Sequence, residues 1–378
     1  MSRLSRRDLL KAGVLAMAAP ALAAPALLRA HDALASSGAL NVYAWSDYFA
    51  NNTLLADFTN ATGVNVTLST YGSNAEAEAK LRAGAGKGVD IFFPSIDTGP
   101  NYYRDALLRP IEEARFKAEV VSSFYQRSLE LGAADRGRRH LVPLVWGTEG
   151  ITWDSTRFDA KSGVISYGDL WLAANPKQTA IRPTSIFNGM ALYLDANGTL
   201  KSNRGLDLYK AEATSRAVFE GVLSFLSAHK ANIGALWNSP AEATSAFATG
   251  GNTIGQTPDT TGILLGEKTD PKWRYGMPKE GGLGTMDGFG IPSGAENVEQ
   301  AYAFANFLYQ QDVAARFANT TRRNSCAKGA ETYMSAQDRA AFDTAYPAGA
   351  IDNLFWLPAQ TATYTALRAE YAGMLAKG

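Results

Sequence analysis

The sequence contains one cysteine, Cys326, and three histidines in 378 residues. A single cysteine cannot form a disulfide within the chain. With so few thiolate and imidazole groups, the chain cannot supply a cysteine-rich zinc or iron–sulfur site. We therefore expect no metal and no other cofactor.

Motifs typical of catalysis are also missing. The sequence has no Gly-x-Ser-x-Gly elbow and no His-Glu-x-x-His pair. Residues 84–88 (GAGKG) resemble a phosphate loop, but Gly88 stands where a magnesium-binding hydroxyl is required, so this segment is more typical of a turn. These absences argue against an enzyme, although an exported enzyme stays an alternative at this stage.

The longest apolar stretch lies at the N-terminus. Arg6 and Arg7 precede an alanine-rich run over residues 12–28, and Ala33-Leu34-Ala35 offers a small-residue cleavage site. This order predicts a signal peptide in residues 1–35, and the arginine pair indicates the twin-arginine export route. Cleavage after Ala23 and a short amphipathic helix are the alternatives. No later run of about 18 apolar residues exists, so no membrane-spanning helix is expected.

The net charge is close to zero. Removing the five basic and two acidic residues of the predicted signal leaves 31 basic and 34 acidic residues, a net charge of −3. A protein that binds nucleic acid would show a basic excess, so nucleic acid is not an expected partner. The remaining 343 residues suggest about two domains.

Strand-like and helix-like segments alternate after the signal. Helical spacing over residues 51–62 and 74–81 separates β-prone segments at 40–45, 64–68 and 89–93. Repeated βα units predict an α/β fold with a mostly parallel sheet covered on both faces.

A second α/β region begins after a strand predicted at 141–146. It contains a further strand at 150–153, one long helix over 206–228, and a glycine-rich loop around a short strand at 281–294. The remaining predictions are strands at 179–181 and 252–256 and helices at 167–174, 241–249, 300–309, 312–319 and 361–375.

Several segments match one protein family in the same order along the chain. They are residues 43–48 (YAWSDY), 69–74 (STYGSN), 90–95 (DIFFPS), 142–147 (VPLVWG), 169–171 (DLW) and 278–282 (PKEGG), followed by Met286-Asp287 and Ile291-Pro292. On these motifs the chain resembles the spermidine/putrescine-binding family of periplasmic solute-binding proteins.

The resemblance implies a two-lobed periplasmic-binding-protein fold of type II, with the ligand in a cleft between lobes joined by crossing strands. Lobe one would comprise residues 39–145 with 286–331, and lobe two residues 146–285 with 332–378. It further implies a periplasmic monomer that closes on its ligand and docks on the membrane permease of an ABC transporter. A module that reports a solute to a receptor is the alternative to this transport role.

The resemblance also implies binding residues. Trp45 and Tyr48 match the aromatic residues that contact the methylene chain and charges of a polyamine, Ser95 matches a serine of the site, and Asp287 matches the aspartate that holds an amine. As an alternative, Trp45 and Tyr48 are ordinary core residues.

Other positions depart from the family pattern. Asp97 replaces an aromatic residue, Arg323 replaces a tyrosine, and Pro183 and Ile186, beside Arg182, replace a carboxylate pair. Arginine presents a planar donor fork that fits a carboxylate or phosphonate. We therefore weigh two ligands: a polyamine-like amine, or a zwitterion such as an ω-amino acid or an aminophosphonate. Alternatively, the arginines face solvent or pair with Glu149 or Asp97.

Overall fold

The computed structural model describes residues 38–50, 52–172 and 176–377. The predicted signal peptide, residues 1–35, lies outside the described residues. Within the described ranges no helix is long and apolar enough to cross a membrane.

In the described part of the chain, eleven strands form one sheet whose main path has the order β2-β1-β3-β11-β6-β9-β7-β8. Strands β10 and β12 also pair with β6, β13 pairs with β11, and β4 and β5 form a small separate sheet. The strands are β1 (Ala39–Trp45), β2 (Asn65–Tyr71), β3 (Ile91–Phe92), β4 (Ala134–Asp135), β5 (Arg138–Arg139), β6 (Leu141–Asp154), β7 (Thr179–Ile181), β8 (Ile233–Leu236), β9 (Ile254–Pro258), β10 (Trp273–Gly276), β11 (Leu283–Gly290), β12 (Asn324–Ser325) and β13 (Phe355–Trp356).

Helices cover the sheet. The α-helices are α1 (Leu54–Thr62), α2 (Asn74–Ala83), α3 (Gly99–Tyr103), α4 (Ser122–Ser128), α5 (Ile186–Ala196), α6 (Glu212–Ala228), α7 (Pro240–Ala248), α8 (Asp259–Leu264), α9 (Val298–Leu308), α10 (Gln311–Thr321), α11 (Ala336–Ala345) and α12 (Ala362–Lys377). Short 3-10 turns lie at Ile96–Thr98, Tyr167–Trp171, Leu206–Tyr209, Lys230–Asn232 and Ala330–Tyr333, and π-helical turns at Leu129–Ala133 and Leu265–Thr269.

Two parallel half-sheets flank a pair of antiparallel crossing strands. Strand β1 pairs in parallel with β2 and β3, and β7 pairs in parallel with β8 and β9. Strand β6 runs antiparallel to both β11 and β9. The predicted α/β class is therefore confirmed, but the sheet is mixed, because the strands that join the two halves run against their neighbours.

The crossing strand β6 corrects the sequence prediction of two separate strands. It is one continuous strand of 14 residues, and every residue in it is buried. The interruption predicted between residues 146 and 150 follows from Gly147, Thr148 and Glu149, which break the apolar pattern. All three residues pair with β11, and Glu149 also pairs with β9, so polar side chains and glycine do not end the strand there.

Strand β11 corrects the prediction of a loop-rich segment. Its eight residues pair along β6, β3 and β13. Glycine serves close packing here: a Cβ on Gly284 would lie 2.7 Å from the ring of Trp356. Local composition alone does not distinguish this use of glycine from its use in turns.

Two further boundaries differ from the predictions. The predicted helix over 206–228 is a 3-10 turn followed by α6, because Lys210 and Ala211 between them are extended. The predicted helix at 167–174 is the short 3-10 turn Tyr167–Trp171. By contrast, α1 ends at Gly63 as predicted, with Gly63 in the left-handed conformation at φ 75°.

Separate hydrophobic cores lie on the two sides of the crossing strands. One packs around Phe58, Phe93 and Phe304, and the other around Phe187 and Phe219. A third cluster, which includes Trp146, Tyr346 and Leu354, packs against β6 between them. This arrangement confirms the two-lobed fold; the residue boundaries of the lobes stay a prediction.

The close packing of β6 gives a test of the fold. A Cβ on Gly150 would lie 2.6 Å from the carbonyl oxygen of Gly276 and within 2.9 Å of Met277 and Tyr275 side-chain atoms. We expect Gly150→Ala to lower the free energy of unfolding by about 1–3 kcal/mol, as overpacking does. Gly373→Ala in α12 is the matched control, since no atom lies within 4 Å of its Cβ position. It should be neutral or stabilise by about 0.5–1 kcal/mol. Denaturant unfolding of both variants measures the difference; equal stabilities would contradict the packing described.

Candidate ligand-binding site

Asp287 lies at the centre of the cluster that the structure brings together. It stands on β11 and is 7% exposed. The Tyr48 hydroxyl donates to its Oδ2 at 2.7 Å, and the Ser95 hydroxyl donates to its Oδ1 at 2.7 Å. Three residues predicted from the resemblance are therefore in direct contact.

The backbone fixes this cluster. Tyr48 follows β1 and Ser95 follows β3, so the ends of two parallel strands meet the crossing strand. Ser95 and Asp287 form an isolated antiparallel bridge, and the Gly288 amide donates to the Pro94 carbonyl at 3.0 Å. Backbone pairing fixes the main chain at Asp287, and the hydroxyls of Tyr48 and Ser95 bind its side chain. The carboxylate of Asp287 is therefore held in one orientation.

Tyr48 is both a core residue and a member of the Asp287 cluster. Its side chain is fully buried, and its ring lies edge-on to Phe317 with 5.0 Å between ring centres. Burial raises the pKa of the Tyr48 phenol well above its usual value, and the charge of Asp287 adds to the rise. The hydroxyl therefore keeps its proton and remains a donor to Asp287.

Arg323 joins the cluster from the other side. Its Nη1 lies 3.5 Å from Oδ2 of Asp287, its Nη2 lies 3.3 Å from Oδ2 of Asp47, and its guanidinium lies 5.4 Å from the centre of the Tyr48 ring. The side chain is 23% exposed. Burial alone would lower the pKa of Arg323, but Tyr48, Asp287 and Asp47 outweigh burial and raise it. Arg323 is therefore a permanent cation beside Asp287.

Trp45 lies beside the cluster, at the end of β1. Its ring packs on Tyr71 with 4.7 Å between ring centres, and it borders two hydrophobic cores. Its Nε1 is buried, and the described residues offer it no hydrogen-bond acceptor. Its role as a ligand contact stays a prediction.

Asp97 is bound by the C-terminal part of the chain. Gln360 donates its Nε2 to Oδ2 of Asp97 at 2.6 Å and its backbone amide to the Asp97 carbonyl at 2.7 Å. Burial raises the pKa of Asp97 to about 6, although Gln360 and Arg368 act to lower it and Asp287 adds to the rise. Asp97 therefore links the segment after β3 to the segment before α12.

Arg182 lies apart from the Asp287 cluster, in a second group at the lobe-two end of the crossing strands. Its Nη1 donates to Oε1 of Glu149 at 2.6 Å, and its guanidinium lies 5.4 Å from the centre of the Trp237 ring. Gln256 donates its Nε2 to Oε2 of Glu149 at 3.1 Å. The structure therefore agrees with the alternative in which Arg182 pairs with Glu149.

The register places both carboxylates on one face of the crossing strands. Asp287 is paired with Val145, and Leu283 with Glu149. Directly opposed residues point to the same face, and so do residues two and four apart along one strand. Asp287 and Glu149 therefore share a face and are separated by about 13 Å along the strands, at roughly 3.3 Å per residue.

A further buried carboxylate lies near Arg323. Asp259, at the start of α8, is 4% exposed and accepts from the Tyr346 hydroxyl at 2.8 Å and the Thr148 amide at 3.0 Å. Burial raises the pKa of Asp259, while the charge of Arg323 lowers it.

These contacts show which charged groups surround the two arginines. The two arginines are accompanied by Asp47, Glu149, Asp259 and Asp287, so carboxylates outnumber guanidinium groups in this region. Asp259 and Gln360 were not predicted, and Glu149 was predicted only as an alternative partner for the arginines. Glu149 could have been found from the sequence, because it is a carboxylate within an otherwise apolar strand. Asp259 directly follows strand β9, which is a weaker sequence signal. No sequence signal points to Gln360.

The fold is that of a two-lobed solute-binding protein of the periplasmic type. A family model described as bacterial extracellular solute-binding protein matches residues 53–344. The chain therefore belongs to the bacterial extracellular solute-binding protein family, whose members bind solutes and are not enzymes.

Individual relatives agree with this. The chain is 28% identical over 300 residues to the putrescine-binding periplasmic protein SpuD of Pseudomonas aeruginosa, covering 76% of this chain and 78% of that protein. It is 27% identical over 326 residues to the spermidine/putrescine-binding periplasmic protein of Salmonella typhimurium, covering 83% and 82%. A solved structure of the spermidine/putrescine ABC transporter substrate-binding protein PotD from Streptococcus pneumoniae matches with a TM-score of 0.73 and 21% identity, over 90% of this chain and 99% of that chain.

The raised pKa of Asp97 predicts a pH dependence of stability. Because the folded state holds this proton up to a pH of about 6, against an ordinary value of 3.8, Asp97 contributes stability at low pH that is lost as pH rises from about 4 to about 6. The loss should reach about 3 kcal/mol at most. Asp97→Asn should remove this part of the slope, since an amide does not titrate. Unfolding free energies of both proteins from pH 4 to 7 measure it, and a carboxyl that titrates near pH 4 by NMR would contradict it.

Proposed function

We propose that this protein is the periplasmic substrate-binding subunit of an ABC uptake transporter and that it holds a small amine-containing solute of the polyamine type between its lobes. The observation that carries the proposal is Asp287, a nearly buried carboxylate fixed by Tyr48 and Ser95. The names of the relatives, which refer to putrescine and spermidine, support the same ligand class.

The chemistry of the cluster suits an ammonium group. A carboxylate makes short charge-assisted hydrogen bonds to an ammonium ion, and an aromatic face attracts the same charge. Asp287 supplies the first. Tyr48, whose hydroxyl contacts Asp287, and Trp45, which packs on Tyr71, supply the second. The excess of carboxylates over arginines in the region adds a field that favours a cation.

The transport role follows from the two-lobed arrangement. Hinge movement about β6 and β11 closes the lobes on the ligand, and the closed form docks on a membrane permease. We place the lobes at residues 39–145 with 286–331 and 146–285 with 332–378. Export would use the signal in residues 1–35 and the twin-arginine route. The protein acts as a monomer and has no nucleic-acid partner.

A zwitterion is the second ligand class to be tested. Arg323 lies 3.5 Å from Asp287, so an ω-amino acid or an aminophosphonate would find an amine partner and an acid partner side by side.

A thermal-shift screen followed by calorimetry tests the proposal. A ligand that binds only the folded state must raise the melting temperature. The panel is putrescine, spermidine, γ-aminobutyrate, 2-aminoethylphosphonate and common amino acids, and we expect the amines to stabilise the protein. No binding by any amine would contradict the proposal.

Replacing the central carboxylate gives the sharper prediction. We expect Asp287→Asn to weaken the binding of the identified amine by roughly 30- to 1,000-fold, as the loss of a buried charged partner costs about 2–4 kcal/mol. Asp159→Asn, at an exposed position, is the control for the loss of one negative charge. Equal affinities of the two variants in calorimetry would remove Asp287 from the site.

A further inference from the structure

The two ends of the shared strand face carry the same arrangement of groups. In what we call the Asp287 cage, Arg323 contacts the carboxylate of Asp287 and lies over the ring of Tyr48. In what we call the Glu149 cage, Arg182 contacts the carboxylate of Glu149 and lies over the ring of Trp237. The guanidinium-to-ring distance is 5.4 Å in both cages.

A carboxylate beside an aromatic face is the arrangement that holds an organic cation. In each cage the cation is a guanidinium from the protein itself. We propose that the Glu149 cage is a second ammonium subsite, and that Arg182 and Arg323 are resident competitors that an incoming polycation displaces from the two cages. This inference rests on the proposed function, because it assumes an amine ligand.

Pairing with arginine explains how the unliganded protein tolerates these carboxylates. Glu149 is 12% exposed and Asp287 9% exposed at the side chain. Removing one partner of a buried ion pair leaves an uncompensated charge and is strongly destabilising, so in each cage the arginine compensates the carboxylate when no ligand ammonium does. A ligand ammonium supplies the same charge and takes over the same role.

Each arginine has an alternative position that its guanidinium can occupy when a ligand displaces it. Arg182 is already 37% exposed at the side chain, so its guanidinium can move into solvent. Arg323 has a second ion-pair partner, Asp47, at 3.3 Å, which it retains when it leaves Asp287. It also lines a cavity of about 270 Å³, bordered by Trp146 and Phe342 among others, which offers space for the side chain.

If Arg182 competes with the ligand ammonium for Glu149, removing the arginine should raise the affinity for the polyamine. Arg182→Met keeps an apolar stem and removes the charge, so a ligand ammonium would no longer have to displace it from Glu149. We expect calorimetry on the mature chain to show spermidine and putrescine binding about tenfold tighter in Arg182→Met than in the parent. The melting temperature without ligand should fall, and the rise on adding spermidine should grow.

Arg216→Met is the matched control. This arginine pairs with Glu212 and Glu370 on the surface of lobe two, so its removal changes the net charge by the same amount away from the cleft. Its polyamine affinity should equal that of the parent. An equal gain in both variants would assign the effect to long-range charge and overturn the inference.

Glu149→Gln tests the subsite from its other partner and serves if Arg182→Met does not fold. We expect it to weaken spermidine binding at least tenfold, and unchanged affinity would overturn the inference.

Lower or unchanged affinity in Arg182→Met, while the parent binds spermidine, would overturn the inference as well, and in that case the proposed function stands. If γ-aminobutyrate binds the parent and loses affinity in Arg323→Met, the arginine holds an acid and the inference fails. If no amine binds the parent at all, the proposed function fails first.

Discussion

The pairing register of β6 with β11 is the constraint on which the candidate site depends. Because successive side chains alternate between the two faces of a sheet, a slip of one residue would turn Asp287 away from Glu149. The register is fixed by burial: all 14 residues of β6 are buried, with a hydrophobic core on each side. The site thus inherits its geometry from the packing of both lobes, and the irregularity in the pairing falls at Asp287/Gly288, beside the central carboxylate.

Charge compensation is the second requirement of this architecture. Carboxylates that end up in the low-dielectric region between the lobes need cations or several hydrogen bonds. The chain meets this need in two ways. Asp287 and Glu149 combine an arginine with neutral side-chain donors, whereas Asp259 takes a tyrosine hydroxyl and a backbone amide.

Segments with one clear periodicity were predicted well. The amphipathic pattern that ends at Gly63 indicated α1, and the β-prone run before Trp45 indicated β1. Prediction failed where tertiary context overrides local composition. The polar residues inside β6 and the glycines of β11 indicated interruptions, yet both segments are strands, since pairing with neighbouring strands satisfies their backbones. The helix over 336–345 was not predicted, since its short apolar pattern is weak.

The sequence by itself determined the family and the two-lobed α/β class, and its motifs indicated Tyr48, Ser95 and Asp287 as candidate binding residues. The contacts among these three side chains followed only from folding. Only the tertiary structure decided the charge of the site. The sequence does not show which carboxylate an arginine pairs with. Glu149 is 33 residues from Arg182, and Asp287 is 36 residues from Arg323. The sign of the local field depends on which charges meet after folding. For that reason only the folded structure shows that Arg182 and Arg323 each lie against a nearly buried carboxylate.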